Sequence, residues 1–302
     1  MNFLPRIFIS GAIVLSSPIA IHAAEPVNAK QEYTRFVKDK DGSAKLDIAI
    51  VHFVNSKTGQ KVDLVGAVHI GDAAYYQELN ERFKAYDAVL YELVKPKDAV
   101  VPPPGSEPES GSMLGGLQQM MGNMLDLTFQ LEQVDYTPTN FVHADLDVDT
   151  FFARMEARGE SFLSLYLKMV MAEMQRPQKG PMNNPDVQMG QFLYALTAPD
   201  RPRQLKLMLG GQLHDIDDRM AAMEGTVLLT ERNDAAMKVL KETLAAGKKN
   251  VAVFYGAAHL KGMDATLSNE LGFTRGDTTW LTAWDIGPDA VSATKPATKP
   301  VE

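Results

Sequence analysis

Two stretches of the chain share a pattern that limits what it can fold into: VDLVGAVHIG at residues 62–71 and VAVFYGAAHLKG at residues 251–262. In each, an apolar run meets a glycine, and a histidine, His69 or His259, stands three residues later. Glycine at a strand end lets the backbone turn sharply or approach a ligand closely. Because α/β proteins place their sites at that sheet edge, the pattern predicts two histidines in a crevice. For each motif alone, a structural histidine at a strand–helix turn is the alternative.

The residues around the first motif predict a strand–helix–strand unit. Residues 45–54 and 62–65 are rich in β-branched side chains on either side of a turn, which indicates a β-hairpin. Asp72 is placed to cap a helix over residues 73–86, and an apolar strand comes next at residues 88–94. The order favours a βαβ unit with a parallel pair of strands.

The same texture returns near the second motif. Thr230 is predicted to cap a helix over residues 231–246 that ends at Gly247. The next elements are a strand at 250–255, a helix at about 262–270 and a strand at 278–285. We therefore expect an α/β fold in which two pseudo-symmetric βα halves form a central sheet region around a mostly helical insertion.

The chain divides into five segments by composition. An apolar stretch after Arg6, with small residues at Ala23 and Ala24 behind it, is typical of a secretory signal peptide, with a retained anchor as the alternative. We thus expect an exported protein, periplasmic or secreted. The predicted segments are a signal peptide (1–24), the first α/β half (25–95), the helical insertion (96–224), the second α/β half (225–290) and a disordered tail (291–302).

Composition excludes several classes of function. The chain has 302 residues and no cysteine, which removes disulfides, thiol catalysis and zinc–thiolate sites. Its formal net charge is −8, and nucleic-acid affinity comes mainly from neutralising phosphates, so we expect no nucleic-acid partner.

Glu92 and Arg232 are the charged residues that most need an explanation. Glu92 shares a predicted strand face with apolar residues, and an unpaired buried carboxylate is costly, so it should meet a metal or an arginine. Arg232 lies in the first turn of a predicted helix, where the helix dipole disfavours a cation. Pairing with a carboxylate or with a substrate oxygen would explain it. A solvated position is the alternative for each.

Other candidates carry weaker signals. His52 is interpreted as a core or edge-strand residue. His143, Asp145 and Asp147 alternate on a short strand predicted at Asn140–Leu146, so they either bind a cation or lead into a helix cap. The insertion is methionine-rich and is interpreted first as helix core, then as a hydrophobic groove for peptide or lipid, then as a copper site. A membrane surface is a further candidate contact of these helices. The methionines are Met113, Met120, Met121, Met124, Met169, Met171 and Met174.

The order Gly66–His69, Tyr91-Glu92, Glu231-Arg232-Asn233 and Gly256–His259 resembles the TraB/PrgY/GumN family. That family is related to the TIKI proteases and, more distantly, to erythromycin esterase-like and ChaN-like proteins. Two Gly-x-x-His motifs, a glutamate between them and an arginine are its hallmarks. The resemblance covers residues 45–95 and 225–285.

The resemblance implies that both histidines meet in one cleft. It also implies a divalent ion, Mn, Co or Zn, held by His69, Glu92 and His259, with Arg232 completing the catalytic set. Our leading hypothesis is an exported metal-dependent hydrolase that acts on a peptide or other small molecule, with Arg232 either stabilising an oxyanion or holding Glu92. The alternatives are a non-catalytic protein that sequesters a peptide or haem-like ligand, and a metal-independent, esterase-like hydrolase.

Overall fold

The predicted hairpin is part of the antiparallel half of a seven-stranded sheet in a computed structural model of the chain. The structure describes residues 32–106, 122–175, 185–214 and 220–288. The predicted signal peptide, the predicted tail and three of the methionines (Met113, Met120 and Met121) lie outside the described residues.

The long strand β2 (Ala44–Val54) organises this half of the sheet. Along one edge it pairs with β1 (Thr34–Lys38) through its first half and with β3 (Lys61–Ala67) through its second half. The whole length of β2 also pairs with β9 (Thr274–Ile286). All these pairs are antiparallel. The β-branched and aromatic residues of β2 are mostly buried, as their preference for a packed sheet predicts.

The other half of the sheet is parallel. In spatial order it contains β3, β8 (Asn250–Gly256), β5 (Ala88–Tyr91) and β7 (Phe141–His143). The predicted βαβ unit is present, and its strands β3 and β5 do run parallel, but β8 lies between them. The second half of the chain is therefore inserted into the centre of the first.

Helices cover both faces of the sheet, which confirms the predicted α/β class. One face packs against α1 (Ala73–Phe83), through side chains that include Tyr76 and Leu79. On the other lie two helices, named α7 (Arg232–Ala245) and α8 (Ala257–Asn269) from their place in chain order. The apolar, two-sided strands β5 and β8 are buried because both of their faces are covered.

The region predicted as a helical insertion is mostly helical where it is described. Its described helices include α2 (Gln130–Gln133), α3 (Val148–Ala157), α4 (Phe162–Gln175), α5 (Pro185–Thr197) and α6 (Arg201–His214). A 3-10 turn (Ala221–Met223) and a π-helical segment (Val227–Glu231) lead into α7. The region also contributes β7 to the main sheet, and β6 (Thr128–Phe129) pairs with the short β4 (Ile70–Gly71). Within the described residues, none of the helices has the length and apolarity needed to cross a membrane.

The core interpretation is wrong for the methionines of α4. Met169, Met171 and Met174 are 43, 59 and 80% exposed, because α4 buries only Leu165. Met124, in contrast, packs against the main core. The groove and copper interpretations stay predictions.

Several predicted boundaries are corrected by the structure. The first helix stops at Phe83 and the strand after it at Tyr91, so Glu92 lies just after the strand. Thr230 does not cap α7. It lies in the π-helical segment, which runs directly into α7. A carbonyl group of that segment accepts the first N–H group of the helix, so no capping side chain is needed there. The helix predicted at 262–270 begins at Ala257, directly after β8.

Candidate functional site

The two Gly-x-x-His motifs lie at the same edge of the sheet, on neighbouring strands. In the parallel β3–β8 ladder, Gly66 is opposite Tyr255 and Ala67 is opposite Gly256. The two glycines are therefore one ladder step apart. Their reasons for being glycine differ: a Cβ on Gly66 would lie 2.5 Å from Ile48 Cγ2, whereas one on Gly256 would lie 3.2 Å from Glu92 Oε2. The first glycine serves sheet packing, and the second lets a carboxylate approach the backbone.

His259 lies in the first turn of α8 and is buried, with 5% of the residue exposed. Its Nδ1 is 2.6 Å from Asn233 Oδ1, while Asn233 Nδ2 donates to the His259 carbonyl at 3.3 Å. Because the amide oxygen can only accept, Nδ1 carries the ring proton and Nε2 keeps its lone pair in the neutral ring. Gly262 makes this contact possible, since a Cβ there would lie 2.6 Å from Asn233 Nδ2.

Glu92 lies just beyond the carboxyl end of β5, and its side chain is only 11% exposed. Its Oε2 accepts the Gly256 N–H at 2.6 Å, at the amino end of α8, where the helix dipole favours an anion. Its Oε1 lies 2.6 Å from Arg232 Nη2 and 3.6 Å from His259 Nε2. The solvated alternative for Glu92 is thus wrong, and the predicted arginine partner is present.

Arg232 joins Glu92 to a second carboxylate, Asp145. Arg232 Nε and Nη2 donate to the two Asp145 oxygens at 3.0 and 2.6 Å, and the Asp145 side chain is completely buried. The side chain of Arg232 is 10% exposed, which excludes the surface alternative. Arg232 thus has the contact that would hold Glu92 in place.

The guanidinium of Arg232 is the cation that Asp145 meets, so the predicted His143–Asp145–Asp147 cation group does not form. His143 Nε2 is 2.7 Å from the Leu93 carbonyl, and Asp147 caps α3 by accepting from the Thr150 N–H. Asp147 thus has the capping role that was the alternative. His52 is likewise structural: it lies on β2 and contacts Asp63 and Thr279.

Burial and charge act in opposite directions on the site. Burial would raise the pKa of Glu92, but His259, Arg232 and the Gly256 N–H together outweigh it and lower that pKa. Burial lowers the pKa of His259, with Glu92 opposing. Burial also disfavours the charge on Arg232, yet Asp145 and Glu92 outweigh it and raise the pKa of Arg232. At neutral pH the site therefore holds a neutral His259, an ionised Glu92 and a charged Arg232.

His69 occupies the matching position after β3 but has a different setting. A loop and the short β4 precede α1 there, so His69 lies outside any helix and is exposed. Its carbonyl accepts the Gln130 N–H at 2.9 Å, and its side chain lines a cavity of about 360 Å³. His69 also contributes to lowering the pKa values of Glu92 and His259, and its strand β3 ends at the same edge of the sheet as β8.

The residues predicted to hold a metal are not arranged as a metal site. Among the described residues, no three His, Asp or Glu side chains are placed so that they could share an ion. Glu92 is instead engaged by Arg232 and by the Gly256 N–H. Binding a metal with His69 and His259 would require Glu92 to leave these partners. The three-ligand site therefore does not fit this arrangement, and the chemistry proposed for the site uses no metal.

Two residues of the site, Asn233 and Asp145, carry no local sequence signal of their roles. Asn233, which orients His259, stands out in the sequence only as a neighbour of Arg232. The one available signal is that both residues lie in the first turn of α7. The sequence leaves Asp145 as either a cation ligand with His143 or part of a helix cap, and nothing near it in sequence links it to Arg232. The sequence separations of Asn233 and Asp145 from their partners are 26 and 87 residues. No local pattern reports such long-range contacts.

Comparison with known proteins adds no assignment. No protein-family model matches the chain, and neither the curated proteins nor the solved structures contain a significant match.

Proposed function

We propose that this protein is an exported hydrolase of peptide substrates in which His259 is the general base. The observation that carries the proposal is the fixed, buried ring of His259. Its Nδ1 is bound to Asn233 and its Nε2 lies 3.6 Å from Glu92. A neutral imidazole whose tautomer is fixed, at the carboxyl edge of a parallel sheet, is suited to take a proton from an attacking water.

The charged neighbours of His259 fit this role. When His259 takes a proton, the ring becomes a cation beside the carboxylate of Glu92, which stabilises it. Arg232 keeps Glu92 ionised and fixed, so we assign it a positioning role instead of direct contact with an oxyanion. Glu92 also faces the Gly256 N–H, which holds it against the first turn of α8.

His69 supports a substrate position between the two motifs. It is exposed, it follows β3 at the sheet edge where the neighbouring strand β8 also ends, and it lines a cavity there. We propose that it contacts the substrate and donates a proton to the leaving group. Peptide as the substrate class, and export from the cell, rest on the family resemblance and on the predicted signal peptide.

The test measures turnover of internally quenched peptides by the purified protein, with and without a chelator. We expect turnover that the chelator does not remove and that His259→Ala abolishes. His52→Ala is the matched control, because the side chain of His52 on β2 is bonded to Asp63 and Thr279, which are not residues of the site.

Three results would change the proposal. Full turnover by His259→Ala would exclude His259 as the base. Turnover that a chelator removes and Mn²⁺ restores would replace the metal-free form with the metal-dependent one. Tight peptide binding without any product would indicate a sequestering protein.

A further inference from the structure

The cavity next to His69 has the size and walls of a subsite for one or two residues of a peptide. Its volume is about 360 Å³, at the lower end of the roughly 300–1000 Å³ common for small-ligand sites. Most of the residues that line it are apolar. One of these residues, Leu131, is 45% exposed although its side chain is large and hydrophobic. Leu93, Val101, Phe129 and Gln130 are further wall residues.

Gln130, a residue of the cavity wall, leaves one end of its side-chain amide without a partner. The residue is 6% exposed, its Nε2 donates to Tyr136 Oη at 2.9 Å, and its Oε1 has no hydrogen-bond partner in the described part of the chain. Turning the amide over would give the oxygen to Tyr136 and leave the nitrogen free instead. In either orientation one buried polar atom is unsatisfied, which is costly and uncommon.

The unsatisfied amide lies close to the site. The main-chain N–H of Gln130 donates to the His69 carbonyl at 2.9 Å, which joins the start of α2 to the first Gly-x-x-His turn. The main chain of Gln130 is therefore fixed directly beside His69. Burial raises the pKa of Tyr136, the partner of the Gln130 side-chain amide, and the negative charge of Glu92 raises it further.

We propose that this cavity binds an apolar side chain of the substrate next to the scissile bond, and that the Gln130 amide hydrogen-bonds the substrate main chain. This inference rests on the proposed peptide hydrolase function. A peptide group suits Gln130 because it offers both a donor and an acceptor, so it satisfies the amide in either orientation. Leu93, Val101, Phe129 and Leu131 supply the apolar contacts. Lys95 and Glu132 also line the cavity and carry opposite charges, so the walls select for neither sign.

The test compares Gln130→Met with Gln133→Met, a matched change on the same short helix that is not part of the cavity wall. The probes are two internally quenched hexapeptides that differ by Leu or Asp at one position, and p-nitrophenyl acetate, which is too small to fill the cavity. We expect Gln130→Met to raise KM for the Leu peptide about tenfold, as the loss of one buried hydrogen bond would, with kcat little changed. Gln133→Met should keep the wild-type kinetics with both peptides and with p-nitrophenyl acetate.

A second variant guards against a folding effect of the first. Leu131→Trp changes a half-exposed side chain and partly fills the cavity, so the variant should fold normally. It should raise KM for the Leu peptide more than KM for p-nitrophenyl acetate. Equal KM values for Gln130→Met and Gln133→Met, together with an unaffected Leu131→Trp, would overturn the subsite.

Direct binding separates this inference from the proposed function. Fluorescence anisotropy of a labelled Leu peptide needs no turnover. Binding that Gln130→Met and Leu131→Trp weaken, without any hydrolysis, would support the cavity and reject the hydrolase. Hydrolysis that His259→Ala abolishes but that Gln130→Met and Leu131→Trp leave unchanged would support the hydrolase function and reject the cavity as a substrate subsite.

Discussion

Arg232 Nη2 lies 2.6 Å from Glu92 Oε1 and also 2.6 Å from Asp145 Oδ2, so a single guanidinium faces two buried carboxylates. The three side chains together keep one net negative charge. That charge lies beside His259 and favours its protonated form, which partly offsets the effect of burial. The cluster therefore links the stability of the fold to the basicity of the proposed catalytic histidine.

Removing the guanidinium should destabilise the protein strongly. In Arg232→Met, Glu92 and Asp145 would stay buried without a cation, and breaking a buried pair in this way costs about 3–5 kcal/mol. Urea unfolding monitored by circular dichroism measures the change in the free energy of unfolding. The control is Arg154→Met, which removes an ion pair to Glu231 from a side chain that is 45% exposed and should cost at most about 1 kcal/mol. Similar costs for both variants would contradict a buried network.

Asn233 should control activity through the His259 ring. Asn233→Leu removes the acceptor that fixes Nδ1–H, and we expect kcat/KM to fall by about ten- to a hundredfold, which is no more than the lower end of the roughly 10²–10⁴-fold contribution of general acid–base catalysis. Asn233→Asp places a carboxylate at the same atom, so it should raise the pKa of His259 and move the acidic limb of the pH–rate profile to higher pH. Profiles of kcat/KM against pH for both variants test this. An unshifted acidic limb in Asn233→Asp would contradict His259 as the base.

The sequence predicted those parts of the site whose signal is local. Periodicity and turn residues located β3, β8 and the glycines, and parallel strands bring their carboxyl ends to one edge of the sheet. The need of Glu92 and Arg232 for partners was predictable from the cost of burying a charge. The contacts of Asp145 with Arg232 and of Asn233 with His259 were not, because they join residues 87 and 26 positions apart and no short pattern encodes them.

The two motifs are alike in sequence but differ in conformation. After Gly256 the chain enters α8 at once, which buries His259 in its first turn. After Gly66 the chain forms a loop and β4 first, which leaves His69 exposed. The resemblance implied two equivalent ligands of one metal, whereas the structure has one buried histidine with a fixed ring and one exposed histidine. The difference arises in the residues after each histidine, where the two sequences no longer match.

Stability should fall in mild acid because of His259. Its folded pKa is lowered from 6.5, chiefly by burial, so the unfolded chain binds the proton more readily. The stability gained by burying a neutral His259 is fully present above the pKa of the unfolded chain. It is lost as the pH falls through the lower pKa of the folded protein. The free energy of unfolding of the wild type should therefore decrease from pH 8 to about pH 5, where histidines titrate and most carboxylates do not. His259→Gln should show a flatter decrease in urea unfolding across that range. Parallel curves for the two proteins would show that His259 is not the titrating group.

Gly262 should matter for catalysis more than for stability. A Cβ at this position would lie 2.6 Å from Asn233 Nδ2, which is the end of a side chain and can move. In Gly262→Ala we therefore expect Asn233 to shift and kcat/KM to fall several-fold, while the gain in helix propensity, up to about 1 kcal/mol, offsets the strain. Gly211→Ala on α6 is the control, since a Cβ there meets nothing within 4 Å. It should leave activity unchanged and hold or raise the melting temperature. Full activity in Gly262→Ala would show that the position of the Asn233 amide does not limit the reaction.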